Sequence, residues 1–258
     1  MEYDRHMPDI QLTRHHEHIL QIHLNRPATL NALSQEVLEN LQEILATTKT
    51  DHTIKALLLT GEGKGFCAGA DIKQLAALDG QKGLAFARFG QSVFRNLELL
   101  GKPSLAAIHG FALGGGCELA MAASIRIAAE NTFFGQPEIK LGVIPGFGGT
   151  QRLSRLIGRG RALEACLTGR RITTAEAHQW GLISEIVPTS TLIERALIKL
   201  QELITYSPAA LASIMATIYQ GSDLALEEAS ELEATHFGLC CTTVEKETGI
   251  RHFLEKKR

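Results

Sequence analysis

Over the first sixty positions, the spacing of apolar residues changes from a strand pattern to a helix pattern and back. Over residues 18–24 they recur at every second position, which predicts a strand that the stretch Asn25-Arg26-Pro27 ends. Ser34 then precedes apolar residues at helical spacing, so we expect an amphipathic helix with Ser34 as its N-cap. Residues 54–60 are almost all apolar, which predicts a strand buried on both faces.

The same alternation continues to about residue 188. It predicts a helix through residues 84–100, a strand at 104–109, a turn in GFALGGG, a helix from Cys117 and a strand at 124–129. Residues 180–188 fit a last strand, and from Thr191 onward only helical periodicity remains. We therefore expect an α/β chain with a boundary near residue 195, between a core of residues 1–195 and a helical region of residues 196–258.

Composition and charge exclude several classes of protein. With 45% hydrophobic residues the chain is too apolar to be disordered. Its 26 basic and 28 acidic side chains give a net charge of −2, which offers no broad surface for nucleic acid or an anionic membrane. The N-terminus lacks the apolar segment of a secretory signal, and the apolar runs are too short for a membrane helix. Five cysteines without CxxC spacing argue against disulfides or zinc, so we expect a soluble, cytoplasmic protein without a metal site.

Three glycine-rich stretches are candidates for chemistry, since small residues let the backbone approach a ligand closely. They are FCAGADI at residues 66–72, GFALGGGCELA at 110–120, and FGQPE at 134–138 with the Gly- and Pro-rich loop after it. The second ends where a helix begins, and a helix N-terminus offers unpaired N–H groups to a developing oxyanion. Taken singly, each stretch also fits a plain turn or an exposed loop, and Glu118 fits the acidic preference of a first helical turn.

Taken together and in this order, the motifs resemble the enoyl-CoA hydratase (crotonase) family over nearly the whole chain. The matching segments are LNRP with NAL, FCAGADIK, ALGGGCELA, FGQPEIKLGVIPGFGGTQRL, LTGRRITTAEAHQWGLISEIV and the final FLEKKR. The resemblance implies a spiral of ββα units, a C-terminal helical region used in trimer formation, and a hexamer made of two trimers. It also implies a coenzyme A thioester as substrate and no separate cofactor.

The resemblance assigns roles to individual residues. The N–H groups of Ala70 and Gly115 match the family's oxyanion hole, and Glu118 and Glu138 match its two catalytic carboxylates. The backbone from Ala68 through Asp71 and Ile72 to Lys73 matches the stretch along the adenine and pantetheine path. Lys256 is similar to a lysine that reaches the CoA of a neighbouring subunit.

The presence of both glutamates favours hydration of a 2-enoyl-CoA to the 3-hydroxyacyl-CoA, as in fatty-acid β-oxidation or related acyl-CoA catabolism. A double-bond isomerase or another acyl-CoA lyase or hydrolase of the family is the alternative, and a non-catalytic RNA-binding relative is disfavoured by the net charge. Two positions depart from the family pattern. Ser124 stands where the family often has Asp, which we expect to alter a structural hydrogen bond, and Phe147 replaces a frequently small residue, which we expect to shape the acyl pocket.

Overall fold

The computed structural model describes residue 7 and residues 9–255, so Lys256 lies outside the described residues. Nine strands lie within that part of the chain: β1 (Ile10–His15), β2 (Ile19–Leu24), β3 (Ala56–Gly61), β4 (Ser104–Ile108), β5 (Phe111–Leu113), β6 (Ile125–Ala129), β7 (Phe133–Gly135), β8 (Ile172–Thr173) and β9 (Glu185–Val187). The same residues form the helices α1 (Gln35–Thr50), α2 (Ile72–Leu75), α3 (Gly80–Glu98), α4 (Gly115–Ala122), α5 (Gly149–Ile157), α6 (Arg159–Thr168), α7 (Thr174–Gln179), α8 (Leu192–Leu203), α9 (Pro208–Gly221), α10 (Leu226–Cys241) and α11 (Val244–Glu255). A short 3₁₀ helix covers Glu138–Leu141.

The strands form a larger and a smaller sheet. The larger has the order β1-β2-β3-β4-β6-β9, and only the β1–β2 pair in it is antiparallel. The smaller has the order β5-β7-β8, with β5 and β7 parallel, and an isolated parallel bridge joins Cys67 to Ala112 of β5. The chain therefore repeats one unit, in which a strand of the larger sheet is followed by an extended residue or strand of the smaller sheet and then a helix. This repeat is the spiral of ββα units that the resemblance implied.

The larger sheet is buried on both faces. Leu57 and Leu59 of β3 pack in the main core with α1, α3 and α4. Leu58 of the same strand packs on the opposite face against Ala196 and Leu200 of α8. This confirms the expectation of a doubly buried strand at residues 54–60. The predicted cap is also confirmed, since the Ser34 side chain accepts a hydrogen bond from the Val37 N–H at the start of α1.

Several predicted boundaries were wrong, mostly around very short strands. GFALGGG is not only a turn, because β5 lies within it, and α4 begins at Gly115, two residues earlier than expected. Of residues 180–188 only Glu185–Val187 form a strand. The strands β1, β7 and β8 were not predicted at all; the last two have three and two residues, too few to show a periodicity.

The predicted boundary near residue 195 falls inside α8, which belongs to the core because Leu192, Ala196 and Leu200 pack on the larger sheet. The segment that leaves the core begins at Pro208. Helices α9, α10 and α11 have no buried residue, and α9 and α10 pack mainly on each other. None of the helices within residues 9–255 is long and apolar enough to cross a membrane.

Candidate active site

The three glycine-rich stretches meet at one end of the smaller sheet. Cys67 bridges β5, β5 pairs with β7 in parallel, and Leu113 is in register with Gly135. All three segments thus end side by side, and the Gly114 N–H donates to the Gly135 carbonyl at 2.9 Å. The carboxyl ends of parallel strands are the usual place for ligand sites in α/β proteins. Residues that follow these ends, at positions 68–70, 114–118 and 136–138, form the candidate active site.

Two backbone N–H groups lie next to each other in this site, those of Ala70 and Gly115. A Cβ built on Gly115 would lie 3.2 Å from the Ala70 nitrogen, and one built on Gly69 would lie 3.3 Å from the Gly115 nitrogen. Within residues 9–255 neither N–H donates to a turn or loop carbonyl. Gly115 is the first residue of α4, so it has no carbonyl one turn before it. Two unpaired donors side by side are what an oxyanion hole requires.

A neighbouring loop fixes the position of Ala70. The Leu33 N–H donates to the Gly69 carbonyl at 2.8 Å, and the Leu33 carbonyl accepts from the Asp71 N–H at 3.0 Å. These two bonds bracket Ala70 and leave its own N–H directed elsewhere. Asn31, which is buried, donates from its side chain to the carbonyls of Glu62, Gly65 and Phe66 and so holds the loop that leads to Ala70.

Gly114 makes the turn from β5 into α4 possible. Its φ of 49° with ψ of −126° is a conformation that side chains disfavour, and a Cβ there would lie 2.7 Å from Glu138 Oε1. The turn places the N-terminus of α4 at the site, so its dipole favours negative charge there. Glycine at this position therefore allows the turn into α4 and leaves free the space that Glu138 occupies.

Glu118 lies in the first turn of α4 with 1% of its surface exposed. Its Oε1 accepts hydrogen bonds from the N–H groups of Phe147, at 2.9 Å, and Gly149, at 2.6 Å. These donors lie at the end of the Gly- and Pro-rich loop and at the first residue of α5. The second oxygen, Oε2, remains for a substrate or a water molecule.

Glu138 begins the 3₁₀ helix that follows Pro137. Sequence reasoning missed its neighbour Gln136, which is completely buried. With its amide nitrogen turned toward Glu138, that side chain lies 3.1 Å from Oε1 and 3.3 Å from Oε2. The same amide lies 2.9 Å from a Cβ built on Gly149, the residue that donates to Glu118. Gln136 therefore contacts Glu138 and lies near Gly149, which holds Glu118. The available sequence signal for Gln136 was a polar side chain two positions before the candidate Glu138.

Burial raises the pKa of both carboxyl groups. The pKa of Glu118 rises to about 8, first by loss of solvent and then by the charge of Glu138, while the N–H groups of Gly149 and Phe147 oppose the rise. Loss of solvent raises the pKa of Glu138 to about 7. Near neutral pH the pair therefore holds about one proton, so it offers one acid and one base.

These raised pKa values predict that stability falls as pH rises. Between the ordinary pKa of about 4.5 and the folded-state values, the folded protein binds more protons than the unfolded chain, so alkali favours unfolding. Glu118→Gln, which cannot ionise, should melt at nearly the wild-type temperature at about pH 5 and clearly above it at about pH 9. Thermal melting at fixed protein concentration measures the gap. For Glu164→Gln, at an exposed carboxylate, the difference in melting temperature from wild type should not grow with pH. A difference for Glu118→Gln that is the same at both pH values would contradict the prediction.

Phe147 packs behind the site. Its ring is buried and meets Phe86 and Phe94 of α3 edge-on, with centroids 5.1 Å and 5.6 Å away. Its Cδ2 lies 3.2 Å from a Cβ built on Gly115, so the ring lies directly beside the second oxyanion amide. A Cβ on Gly90 of α3 would collide with the same ring.

Ser124 exchanges hydrogen bonds with Ser104. The Ser124 N–H donates to Ser104 Oγ at 3.0 Å, and the Ser104 N–H donates to Ser124 Oγ at 3.3 Å. Its hydroxyl also donates to the Met215 sulfur of α9 at 3.5 Å. The side chain thus joins the start of β4 and β6 to the C-terminal helices, away from the two glutamates.

The residues expected along the CoA path lie on both sides of Ala70 in the chain. Asp71 caps α2 by accepting from the Lys73 N–H, and Ile72 and Lys73 are exposed, whereas Ala68 is half-buried. Among the described residues, no group of three or more Cys, His, Asp or Glu side chains could hold a metal ion.

Comparisons with known proteins identify the family to which the chain is similar. Residues 14–258 match the model of the enoyl-CoA hydratase/isomerase family. The chain is 41% identical to the short-chain-enoyl-CoA hydratase of Clostridium acetobutylicum (91% of this chain, 90% of the relative) and 39% identical to the crotonyl-CoA hydratase of Syntrophomonas wolfei (94% of both). The crystal structure of an enoyl-CoA hydratase from Bacillus anthracis superposes with a TM-score of 0.91 at 37% identity, covering 96% of both chains.

Proposed function

The chain belongs to the enoyl-CoA hydratase/isomerase family and is an enzyme that hydrates a 2-enoyl-CoA thioester; we propose that Glu118 and Glu138 carry out the proton transfers. The amides of Ala70 and Gly115 bind the thioester oxygen. The observation that carries this assignment is a pair of carboxyl groups with raised pKa values, Glu118 buried and Glu138 half-buried, beside two unpaired N–H donors. Perturbed groups of this kind are typical of acid–base sites.

The two carboxyl groups can complete the reaction when they hold one proton between them. The ionised carboxylate takes a proton from water as its oxygen bonds to C3 of the enoyl group. The electrons of the double bond move onto the thioester oxygen, where the N–H groups of Ala70 and Gly115 stabilise the enolate. The protonated carboxyl then gives its proton to C2. Water has been added, and the pair again holds one proton, so the cycle closes without a redox or metal cofactor.

Loss of the conjugated enoyl absorbance after addition of crotonyl-CoA tests this function. Wild-type protein is expected to remove the band and to form 3-hydroxybutyryl-CoA. An isomerase would leave crotonyl-CoA unhydrated and instead create the band from a 3-enoyl-CoA. Intact crotonyl-CoA and longer 2-enoyl thioesters after prolonged incubation would contradict the proposal.

We propose that the acyl group is short, because Phe147 fills the space beside the reacting carbons. Phe147→Ala removes the ring between Gly115 and α3, and kcat/KM for an eight-carbon enoyl-CoA relative to crotonyl-CoA should rise about 10-fold or more. Phe147→Leu keeps most of the volume and should keep the short-chain preference. An unchanged ratio in a folded Phe147→Ala protein would show that the acyl tail runs elsewhere.

We propose that the C-terminal helices assemble the chain into trimers and hexamers. Within the described residues α9, α10 and α11 have no fully buried residue, and they expose large apolar side chains such as Ile218, Leu226, Phe237, Val244 and Phe253. Apolar surface of this extent is typical of a protein interface. Lys256, outside the described residues, stays a predicted contact to a neighbouring subunit's CoA. The cytoplasmic location likewise stays a prediction from the sequence.

Truncation after Tyr206 should abolish assembly. This cut keeps α8, whose Leu200 packs on the larger sheet, and removes the helices that have no fully buried residue among those described. We expect a folded monomer by sedimentation and circular dichroism, with little hydration activity. A truncated chain that still sediments as the full-length oligomer would show that the interface lies elsewhere.

A further inference from the structure

The turn that holds Glu118 is itself held from the opposite side by a buried ion pair. Residues 147–149 give two N–H groups to Glu118 Oε1. From the other side, Arg152 of α5 donates through Nη1 to the Phe147 carbonyl at 2.7 Å. Phe147 is thus bound at its N–H by the carboxylate and at its C=O by the guanidinium. The turn cannot shift toward either side without loss of one of these bonds.

Arg152 is fixed in turn by Glu98 at the end of α3. Arg152 Nε lies 2.6 Å from Glu98 Oε1, and the two side chains are 15% and 8% exposed. Arg95 reaches the second oxygen of Glu98 at 3.2 Å. Removal of Glu98 would leave the largely buried Arg152 without its carboxylate, whereas removal of Arg152 would leave Glu98 paired with Arg95 alone.

The backbone of the turn is shaped to admit the arginine. Gly148 has a φ of 102°, and a Cβ at that position would collide with Arg152 Nη1. The guanidinium therefore lies directly under the peptide that connects the two Glu118 donors. Only a residue without a side chain allows that approach in this conformation.

We propose that Arg152 and Glu98 are positioning residues for Glu118: Glu98 orients Arg152, Arg152 fixes the turn at residues 147–149, and the turn orients the carboxylate. Neither touches the reacting atoms. The inference rests on the proposed role of Glu118. The ion pair between α3 and α5 thus has a role in the hydration step in addition to its role in packing.

Arg152→Gln is expected to lower kcat by about 10- to 100-fold, because small displacements of a catalytic group are costly. KM for crotonyl-CoA and the affinity for unreactive butyryl-CoA should stay within about twofold of wild type, since neither ligand needs an oriented Glu118. Arg152→Lys can pair with Glu98 but cannot bond the Phe147 carbonyl as well, so it should recover only part of the loss. Arg155→Gln is the matched control, three residues further along α5 in an exposed pair with Asp223.

The decisive comparison repeats Arg152→Gln in a Glu118→Gln background, with single-turnover rates. If Arg152 acts through Glu118, the second change costs nothing further once the carboxylate is gone. Equal losses in both backgrounds would overturn the positioning role while the proposed function stands. Wild-type activity of Glu118→Gln alone would instead overturn the proposed function.

A second variant covers the case in which Arg152→Gln does not fold. The double change Glu98→Gln with Arg152→Gln removes both members of the pair, and the one charge that loses a partner is Arg95, whose side chain is 42% exposed to solvent. The folded double variant should show the same drop in kcat as the single one. Wild-type kcat in that protein would overturn the proposal.

Discussion

Replacing Glu118 or Glu138 with glutamine is expected to lower kcat for crotonyl-CoA hydration by about 10²–10⁴-fold, the usual contribution of a general acid or base. Glutamine keeps the size of the side chain and can still accept the N–H bonds of Phe147 and Gly149 at position 118. It cannot exchange a proton. The loss should therefore appear in kcat rather than in the affinity for butyryl-CoA.

Two comparisons make this result specific. Glu164→Gln, at an exposed carboxylate paired with Arg170, should leave kcat unchanged. The values of kcat/KM for hydration and for dehydration should fall by the same factor in each variant, because an enzyme cannot move the equilibrium. A variant at position 118 or 138 that retains a near wild-type rate would remove that residue from the proton transfers.

The structure explains why the two glutamates had to be assigned by resemblance rather than by spacing. They are twenty positions apart, on α4 and on a 3₁₀ helix. They come together because β5 and β7 pair in parallel and end in register, yet these strands have only three residues each. Strands so short carry no periodicity, so no local pattern in the sequence indicates that positions 114 and 136 are neighbours.

Local signals did predict the elements that adjacent residues mark in the sequence. The cap at Ser34 and the run of apolar residues in strand β3 are patterns of this kind. By contrast, Gln136, Arg152 and Glu98 gain their significance from contacts across the fold. Arg152 and Glu98 are 54 positions apart. From the sequence alone, an arginine in an amphipathic helix is interpreted as a solvent-exposed charge, because its partner is not known.

The second large effect concerns the N–H of Gly115, which a proline can delete. Gly115 is the first residue of α4, a position at which proline is well tolerated because its N–H has no helical partner. If that N–H binds the enolate oxygen, its removal should lower kcat by about 10²–10³-fold. The affinity for free CoA should not change, because free CoA has no thioester oxygen to bind.

Proline also adds a Cβ, and at this position the Cβ would lie 3.2 Å from the Ala70 nitrogen and from the Phe147 ring. Gly115→Ala is therefore the matched control, since it adds the same Cβ but keeps the N–H. The loss in Gly115→Pro beyond that in Gly115→Ala measures the donor. Replacement of the Gly115 amide by an ester, through incorporation of glycolic acid, removes the N–H with no added carbon and should give the same factor. A folded ester variant with wild-type turnover would show that this amide does not stabilise the enolate, and would leave the Ala70 N–H and the α4 dipole as the stabilising groups at that oxygen.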